Sequence, residues 1–479
     1  MVENNFFQYF NKLLLIARPV HGKVCSPKTK TAKERPRMLI LHDLLTKLKN
    51  EFEISRKTGD RGIWFVYVLL GVIIPFTSSK TSNLHRCLKT LFGFSSLPKK
   101  QFYRFMASPK IPWPNLWRCL WKMIPEPLTN NRLLLLLDDC INPKTGKKIF
   151  GCQRVFDHAA KQNQSRYPWA QNIVMVGLLK MVKGRWACLP LSYRFYHLKK
   201  TIEAGALKKP ALQFKTKIDQ AVEMVFSIAE AFQQGTILLV TDSWFGNNSL
   251  YLPLNQGLGR EFHLLSRLRC NNTLFDLPGH VLRKKAGRPR KYGKKMGNAA
   301  SLADRYHPLA KEYSVNLYGR TRSVMAFDQI VMLKTIKTRV RVVWVYRKTQ
   351  WVALFSTDLT LSVPEMIEYY GARWKIEAAF KELKQDLGSA ETQSRHPDAV
   401  KNHLHFCMMA ASLTWIYASR LAKTPARRHA VSGRQHFAFS DVRRLIAEAA
   451  MSDNFNSLFP LPRKSGVNSL VTVLLRMAA

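Results

Sequence analysis

Acidic residues are scarce in this sequence: 31 Asp and Glu stand against 76 Lys and Arg in 479 residues, a formal net charge of +45. Such an excess repels itself and favours a polyanionic partner. Cationic side chains displace condensed counterions from phosphates, so nucleic acid is the expected partner and an anionic membrane surface the rival. Long hydrophobic runs are also missing. The longest, IWFVYVLLGVII at 63–74, is shorter than the roughly 20 residues of a membrane span, and Pro75 ends it. Near the N-terminus, LLLIA follows Glu3 and precedes no small-residue cleavage pattern, which argues against a signal peptide. Paired cysteines are missing too. Eight cysteines are scattered singly, with no C-x-x-C and no His at zinc-finger spacing. They are expected to be reduced and mostly buried in a cytoplasmic protein without structural zinc.

What is present begins with a basic, Pro-rich arm at 18–37, followed by helical patterns at 41–55, 60–74 and 80–92. The turn signal GFSSLP at 93–98 leads into a short basic helix at 99–106. Helix, turn and basic helix resemble a helix-turn-helix that would offer Lys99, Lys100 and Arg104 to DNA; a helical bundle with a solvated basic face fits the same pattern. RLLLLLD at 132–138 has no alternation and reads as a strand buried on both faces. Strands at 172–182 and 185–195 follow, joined by the tight turn KG. A helix at 212–233, a strand at 236–241, a short helix after Asn247 and a strand at 262–269 complete a mixed α/β layer. That order is compatible with an RNase H-like core. A basic, turn-rich segment at 270–312 precedes strands at 322–333, 339–347 and 351–357. Helices are expected from Pro364, at 399–420, and from an N-cap at Ser440 to Met451.

The few acids matter where they abut buried strands. LLLLLDDC ends one strand with Asp138 and Asp139, and TILLVTDSWF ends another with Asp242. The stretch YYGARWKIEAAFKELKQ at 369–385 adds a carboxylate between cations. On one continuous α-helix, Tyr370, Arg373, Glu377 and Lys384 fall within about 60° of each other. They border the apolar stripe of Ile376, Phe380, Leu383 and Leu387, while Lys375, Glu382 and Asp386 point toward water. Taken alone, the row also fits a plain Arg–Glu pair worth a few tenths of a kcal/mol.

Tyr, two residues, Arg, three residues, Glu, six residues, Lys is the spacing of Tyr370, Arg373, Glu377 and Lys384. It resembles the signature of the cut-and-paste DDE transposases of bacterial insertion sequences, and LLLLLDDC and TDSWF resemble that family's two Asp segments. The resemblance covers roughly 130–420. It implies an RNase H-like catalytic core interrupted by a strand-rich insertion. The expected domains are 1–125 (arm and helical DNA-binding domain), 126–269 and 361–422 (two parts of the core), 270–360 (basic β-rich insertion) and 423–479 (C-terminal helical region). It also implies Asp139, Asp242 and Glu377 as catalytic metal ligands, with Asp138 as the alternative to Asp139, because a strand apolar on both faces leaves the phase open. Two Mg²⁺ ions, replaceable by Mn²⁺, would be held there. Tyr370, Arg373 and Lys384 would hold backbone phosphates. The implied partner is double-stranded DNA, at the element's terminal inverted repeats and at the target, bound by a homodimer, with no small-molecule substrate and no membrane. AGRPRKYGKK at 286–295 resembles an AT-hook with Arg288 and Arg290 in a minor groove; a phosphate-tracking basic loop is the plainer reading. The competing functional readings are a catalytically inactive, transposase-derived DNA-binding regulator and an RNA-binding protein.

Overall fold

The run of leucines decides where the sheet sits. In the computed structural model, which describes residues 36–53, 60–74, 79–92, 98–158, 160–205, 212–233, 235–279, 290–348, 350–429, 431, 436–452 and 455, Leu133 to Leu137 are fully buried. Most of the expected basic arm, and Arg288 of the expected AT-hook, lie outside the described residues. Among the described residues, five helices come first: α1 (Arg37–Lys49), α2 (Arg61–Ile73), α3 (Thr81–Thr90), α4 (Lys99–Met106) and α5 (Trp113–Lys122). Then come β1 (Arg132–Pro143), β2 (Cys152–Arg154), β3 (Trp169–Val182) and β4 (Arg185–Tyr196). The β3–β4 turn at Lys183 and Gly184 has positive φ at both residues, as a tight hairpin requires. Next are α6 (Lys199–Glu203), α7 (Lys217–Ala231), β5 (Thr236–Thr241), α8 (Asn248–Leu258) and β6 (Phe262–Arg267).

The strands β4, β3, β1, β5 and β6 lie side by side in that order. The β1–β3 and β3–β4 pairs are antiparallel, and β1–β5 and β5–β6 are parallel. This arrangement is compatible with an RNase H-like core. The segment expected to be turn-rich instead contains β7 (Thr273–Phe275), β8 (Lys295–Asn298), α9 (Ala299–Tyr306) and the start of β9 (Lys311–Leu317). Its basic side chains obscure a short apolar pattern: Leu274, Leu302, Ala303 and Val315 are buried. After β10 (Arg320–Leu333) and β11 (Thr338–Arg347), β12 (Gln350–Ser356) pairs antiparallel with β6. All these strands therefore join one mixed, mostly antiparallel 12-stranded sheet. Trp344 is fully buried with its indole N–H on the Ala299 carbonyl.

The expected continuous helix after Pro364 is broken. It is α10 (Val363–Ala372), a turn at Arg373 and Trp374, α11 (Lys375–Lys381) and a π-helical turn over Glu382–Asp386. Beyond it lie α12 (Pro397–Arg420) and α13 (Phe439–Ala450). Helix α12 is buried along most of its length and ties the N-terminal helices to the rest. Trp113 of α5 donates to Asn402 at 2.7 Å, and Arg420 pairs with Asp43 of α1 at 2.9 Å. Glu382 and Asp386, expected to face water, instead meet this layer: Trp415 donates to Glu382, and Arg443 lies 3.7 Å from Asp386. Two helix starts also differ. Helix α7 begins at Lys217, fixed by a reciprocal capping box between Thr216 and Asp219. Helix α13 is capped not by Ser440 but through Asp441, which accepts from the Ala438 N–H at 2.6 Å. No helix among the described residues is long and apolar enough to cross a membrane.

Candidate active site

Strand pairing assigns the two adjacent acids of β1 to opposite sides. Leu137 pairs with Thr241 in the parallel β1–β5 ladder, so the residues that follow, Asp138 and Asp242, lie side by side; the acids of β1 do not end the strand as expected, because β1 runs on beside β3 to Pro143. Successive side chains of a strand point to opposite faces, so Asp139 projects the other way. The contacts agree. Asp138 accepts from Arg373 at 3.2 Å. Asp139 accepts from Lys217 at 2.8 Å and from Asn172 at 3.1 Å. The structure thus places Asp138, the alternative to Asp139, beside Asp242 and on the guanidinium that also holds Glu377, while Asp139 faces Lys217 and Asn172. The leucine run hid this phase, because both faces of β1 are buried and only the neighbouring strand reveals the register.

The turn after β5 holds Asp242. One carboxylate oxygen accepts from the backbone N–H groups of Trp244 and Phe245 at 3.1 and 3.0 Å. Ser266 donates to the Asp242 carbonyl at 2.7 Å. Gly246 makes the turn fit: a Cβ there would lie 2.1 Å from the Ser266 hydroxyl.

Arg373 joins the pieces. It sits in the break between α10 and α11, is 3% exposed, and donates to Asp138 and Glu377, each at 3.2 Å. Its guanidinium also lies over the rings of Tyr370 and Trp374. Burial opposes the Arg373 charge, but Tyr370, Asp138, Glu377 and Asp242 outweigh it and hold its pKa above the ordinary value. Burial likewise pushes Asp138 up to about 7; Arg373 opposes the rise, and the charges of Asp242, Asp139 and Glu377 add to it. Glu377 is also pushed up to about 7, by burial and by Asp242, against Arg373. The arrangement is three carboxylates from three separate segments around one buried cation. Each carboxylate makes the next harder to ionise.

The other expected site residues are placed as follows. Lys384, in the π-helical turn, donates to the Ile141 carbonyl at 2.8 Å and so fastens the Glu377 segment to β1. Tyr370 is 7% exposed, with its ring under the Arg373 guanidinium and its hydroxyl buried beside it. Lys99, Lys100 and Arg104 are exposed on α4, while Phe102, Phe105 and Met106 anchor its other side. The turn that would complete a helix-turn-helix lies outside the described residues, and Arg290 is exposed far along the chain in the insertion.

A family model described as DDE superfamily endonuclease matches residues 56–329. The chain belongs to this family. The matched part of this DDE superfamily endonuclease contains Asp138, Asp139 and Asp242 and stops before Glu377, so Glu377 joins the set through its contact with Arg373. No curated protein matches the chain. DDE superfamily endonucleases generally use divalent metals. Carboxylate oxygens suit a hard cation such as Mg²⁺ in chemical kind. Arg373 stands between two of them, and no group of three or more His, Cys, Asp or Glu is gathered closely enough to hold an ion among the described residues.

Sequence reasoning missed one residue beside this set. Tyr318 lies in the β9–β10 turn, and the charges of Arg373, Tyr370, Arg322 and Glu377 act on its hydroxyl. The dipeptide Tyr318–Gly319, flanked by SVNL and RTRSV, was the available hairpin signal.

Proposed function

We propose that this endonuclease is the cut-and-paste transposase of an insertion sequence. It binds the terminal inverted repeats of the element, cleaves DNA phosphodiesters there and joins the 3′-OH ends to target DNA. The observation that carries the reading is the meeting of Asp138 and Glu377 on Arg373, with Asp242 beside Asp138. Pure binding of a polyanion gains nothing from half-buried acids gathered on the sheet of a basic protein.

Asp138, Asp242 and Glu377 are the carboxylates that would hold two divalent cations, once Arg373 gives up its place between Asp138 and Glu377. Such a pair, when bound, supplies an activated water and stabilises the attacking and leaving oxygens of an in-line displacement. The chain's own residues do the rest. Asp242 is pre-set by its turn, with one oxygen already occupied by backbone N–H groups. Lys384 fixes the distance between the Glu377 segment and β1. Arg373 keeps Asp138 and Glu377 together and shares its charge with an incoming phosphate. The hydroxyl of Tyr370, beside Arg373, donates to the same backbone. Lys99, Lys100 and Arg104 on α4, with Arg288 and Arg290 in the insertion, grip flanking duplex. Two protomers hold the two ends, and the work is done in the cytoplasm.

The core of this reading is 126–269 and 361–422, RNase H-like, with 270–360 as its insertion, 1–125 as the DNA-binding part and 423–479 as the C-terminal helical region. The deciding experiment is cleavage of DNA carrying the element's ends, with Mg²⁺ or Mn²⁺ against Ca²⁺. Glu377→Gln is expected to bind the ends and cut nothing. Cleavage by Glu377→Gln at the wild-type rate would sink the assignment.

A further inference from the structure

Strands β9 and β10 are joined by only two residues, Tyr318 and Gly319, since Leu317 and Arg320 face each other as the last pair. Both turn residues have positive φ, 57° for Tyr318 and 77° for Gly319. Asn and Gly adopt that backbone readily at the first position; a bulky aromatic residue does so only under strain. Strain of this kind persists where the surroundings over-determine it, and it gathers at functional sites. The surroundings here are specific. The Asn316 N–H donates to Glu368 of α10 at 2.6 Å. Leu317 fills the space left by Gly371, where a Cβ would come within 2.6 Å of it. These two contacts seat the hairpin tip on α10, one turn before Arg373. Tyr318 there lies within reach of the charges of Arg373, Tyr370 and Glu377, and the residue as a whole is 37% exposed.

Building on the endonuclease reading above, we propose that Tyr318 is a substrate-contacting residue, whose hydroxyl donates to the DNA backbone phosphate held at Asp138, Asp242 and Glu377. The turn then forms the insertion's wall of the site. This accounts for a tyrosine in a position where asparagine would be unstrained, and for a second phenol beside the buried Tyr370. Burial pushes the Tyr318 hydroxyl well above its ordinary pKa, so it stays a proton donor.

Two substitutions separate the roles. Tyr318→Asn relieves the backbone and removes the phenol; Tyr318→Phe keeps ring and strain and removes the hydroxyl. Thermal unfolding is expected at an unchanged or higher temperature for Tyr318→Asn and at the wild-type temperature for Tyr318→Phe. Nicking of supercoiled plasmid in Mn²⁺ is expected to fall roughly tenfold or more in both, as when a donor to a reacting phosphate is lost. A second measurement does not depend on activity. With p-azidophenylalanine in place of Tyr318, illumination in Ca²⁺ is expected to cross-link a labelled DNA duplex; the same replacement of the buried Tyr306 gives the background. Wild-type nicking by both variants, or no adduct above that background, overturns the proposal. If the wild-type protein nicks nothing in any metal, the transposase reading fails, and the adduct alone then decides whether Tyr318 touches DNA.

Discussion

The two faces of β1 carry the same residue type one position apart and treat it in opposite ways. On one face Asp138 shares a buried guanidinium with Glu377 and feels the charge of Asp242. On the other, Asp139 has its own lysine and an amide donor, and Lys217 is further covered by the rings of Tyr196 and Trp244. One acid is frustrated and the other satisfied. A group whose partners compete for one cation is ready to exchange that cation for another; a group with a private partner is not.

The sharpest test of this contrast is to neutralise each acid in turn. Asp138→Asn is expected to reduce DNA cleavage by about a thousandfold or more, as loss of a catalytic electrostatic group does. Asp139→Asn is expected to stay within about tenfold of wild type. Equal losses in a cleavage time course would erase the distinction between the faces. Next in size is Arg373→Met, which leaves two half-buried carboxylates without their cation. Removing one member of a fully buried ion pair costs about 3–5 kcal/mol; with Glu377 38% exposed the loss is expected below that range, to be read from urea unfolding. The loss should be smaller in an Asp138→Asn background, because the two residues act as one unit.

The pH dependence sharpens the same comparison. Asp138 and Glu377 have folded pKa values raised to about 7. Between their ordinary carboxylate range and pH 7, the unfolded chain binds fewer protons than the folded one. Without divalent cations, their contribution to stability is therefore full at the acid end and declines as pH rises to about 7. The double variant Asp138→Asn, Glu377→Gln should show a flatter stability profile across that window than wild type. The smallest effect expected is at Lys217. Lys217→Met should cost about 1 kcal/mol, since the pair is only partly buried, and a double-mutant cycle with Asp139→Asn should recover most of it.

Much of the site was legible in the sequence because acids are so few. A carboxylate directly after RLLLLL or TILLVT stands out, and so does a Glu at fixed distances from Tyr, Arg and Lys. The phase of β1 was not legible, since Leu133 to Leu137 are buried on both sides and only the pairing of Leu137 with Thr241 distinguishes Asp138 from Asp139. The wheel that aligned Tyr370, Arg373, Glu377 and Lys384 assumed one unbroken helix. The turn at Arg373 and Trp374 and the π-helical turn at Glu382–Asp386 depend on tertiary contacts with β1 and α12, which no local pattern encodes. Basic side chains hid α9 and β9, because charge dominates that segment while only a few small or branched residues are buried.

The bond between Asp138 and Arg373 joins residues 235 positions apart. A chain emerging from the ribosome N-terminus first presents β1 to β6, then β7 to β12 with α9, before the segment that bears Arg373 and Glu377. The acids of β1 and β5 thus wait, incomplete, through most of synthesis. Any nascent or prematurely ended chain would carry the basic N-terminal helices and the sheet, yet lack the residues that close the proposed site. Chain order itself makes the joining of these carboxylates a late event.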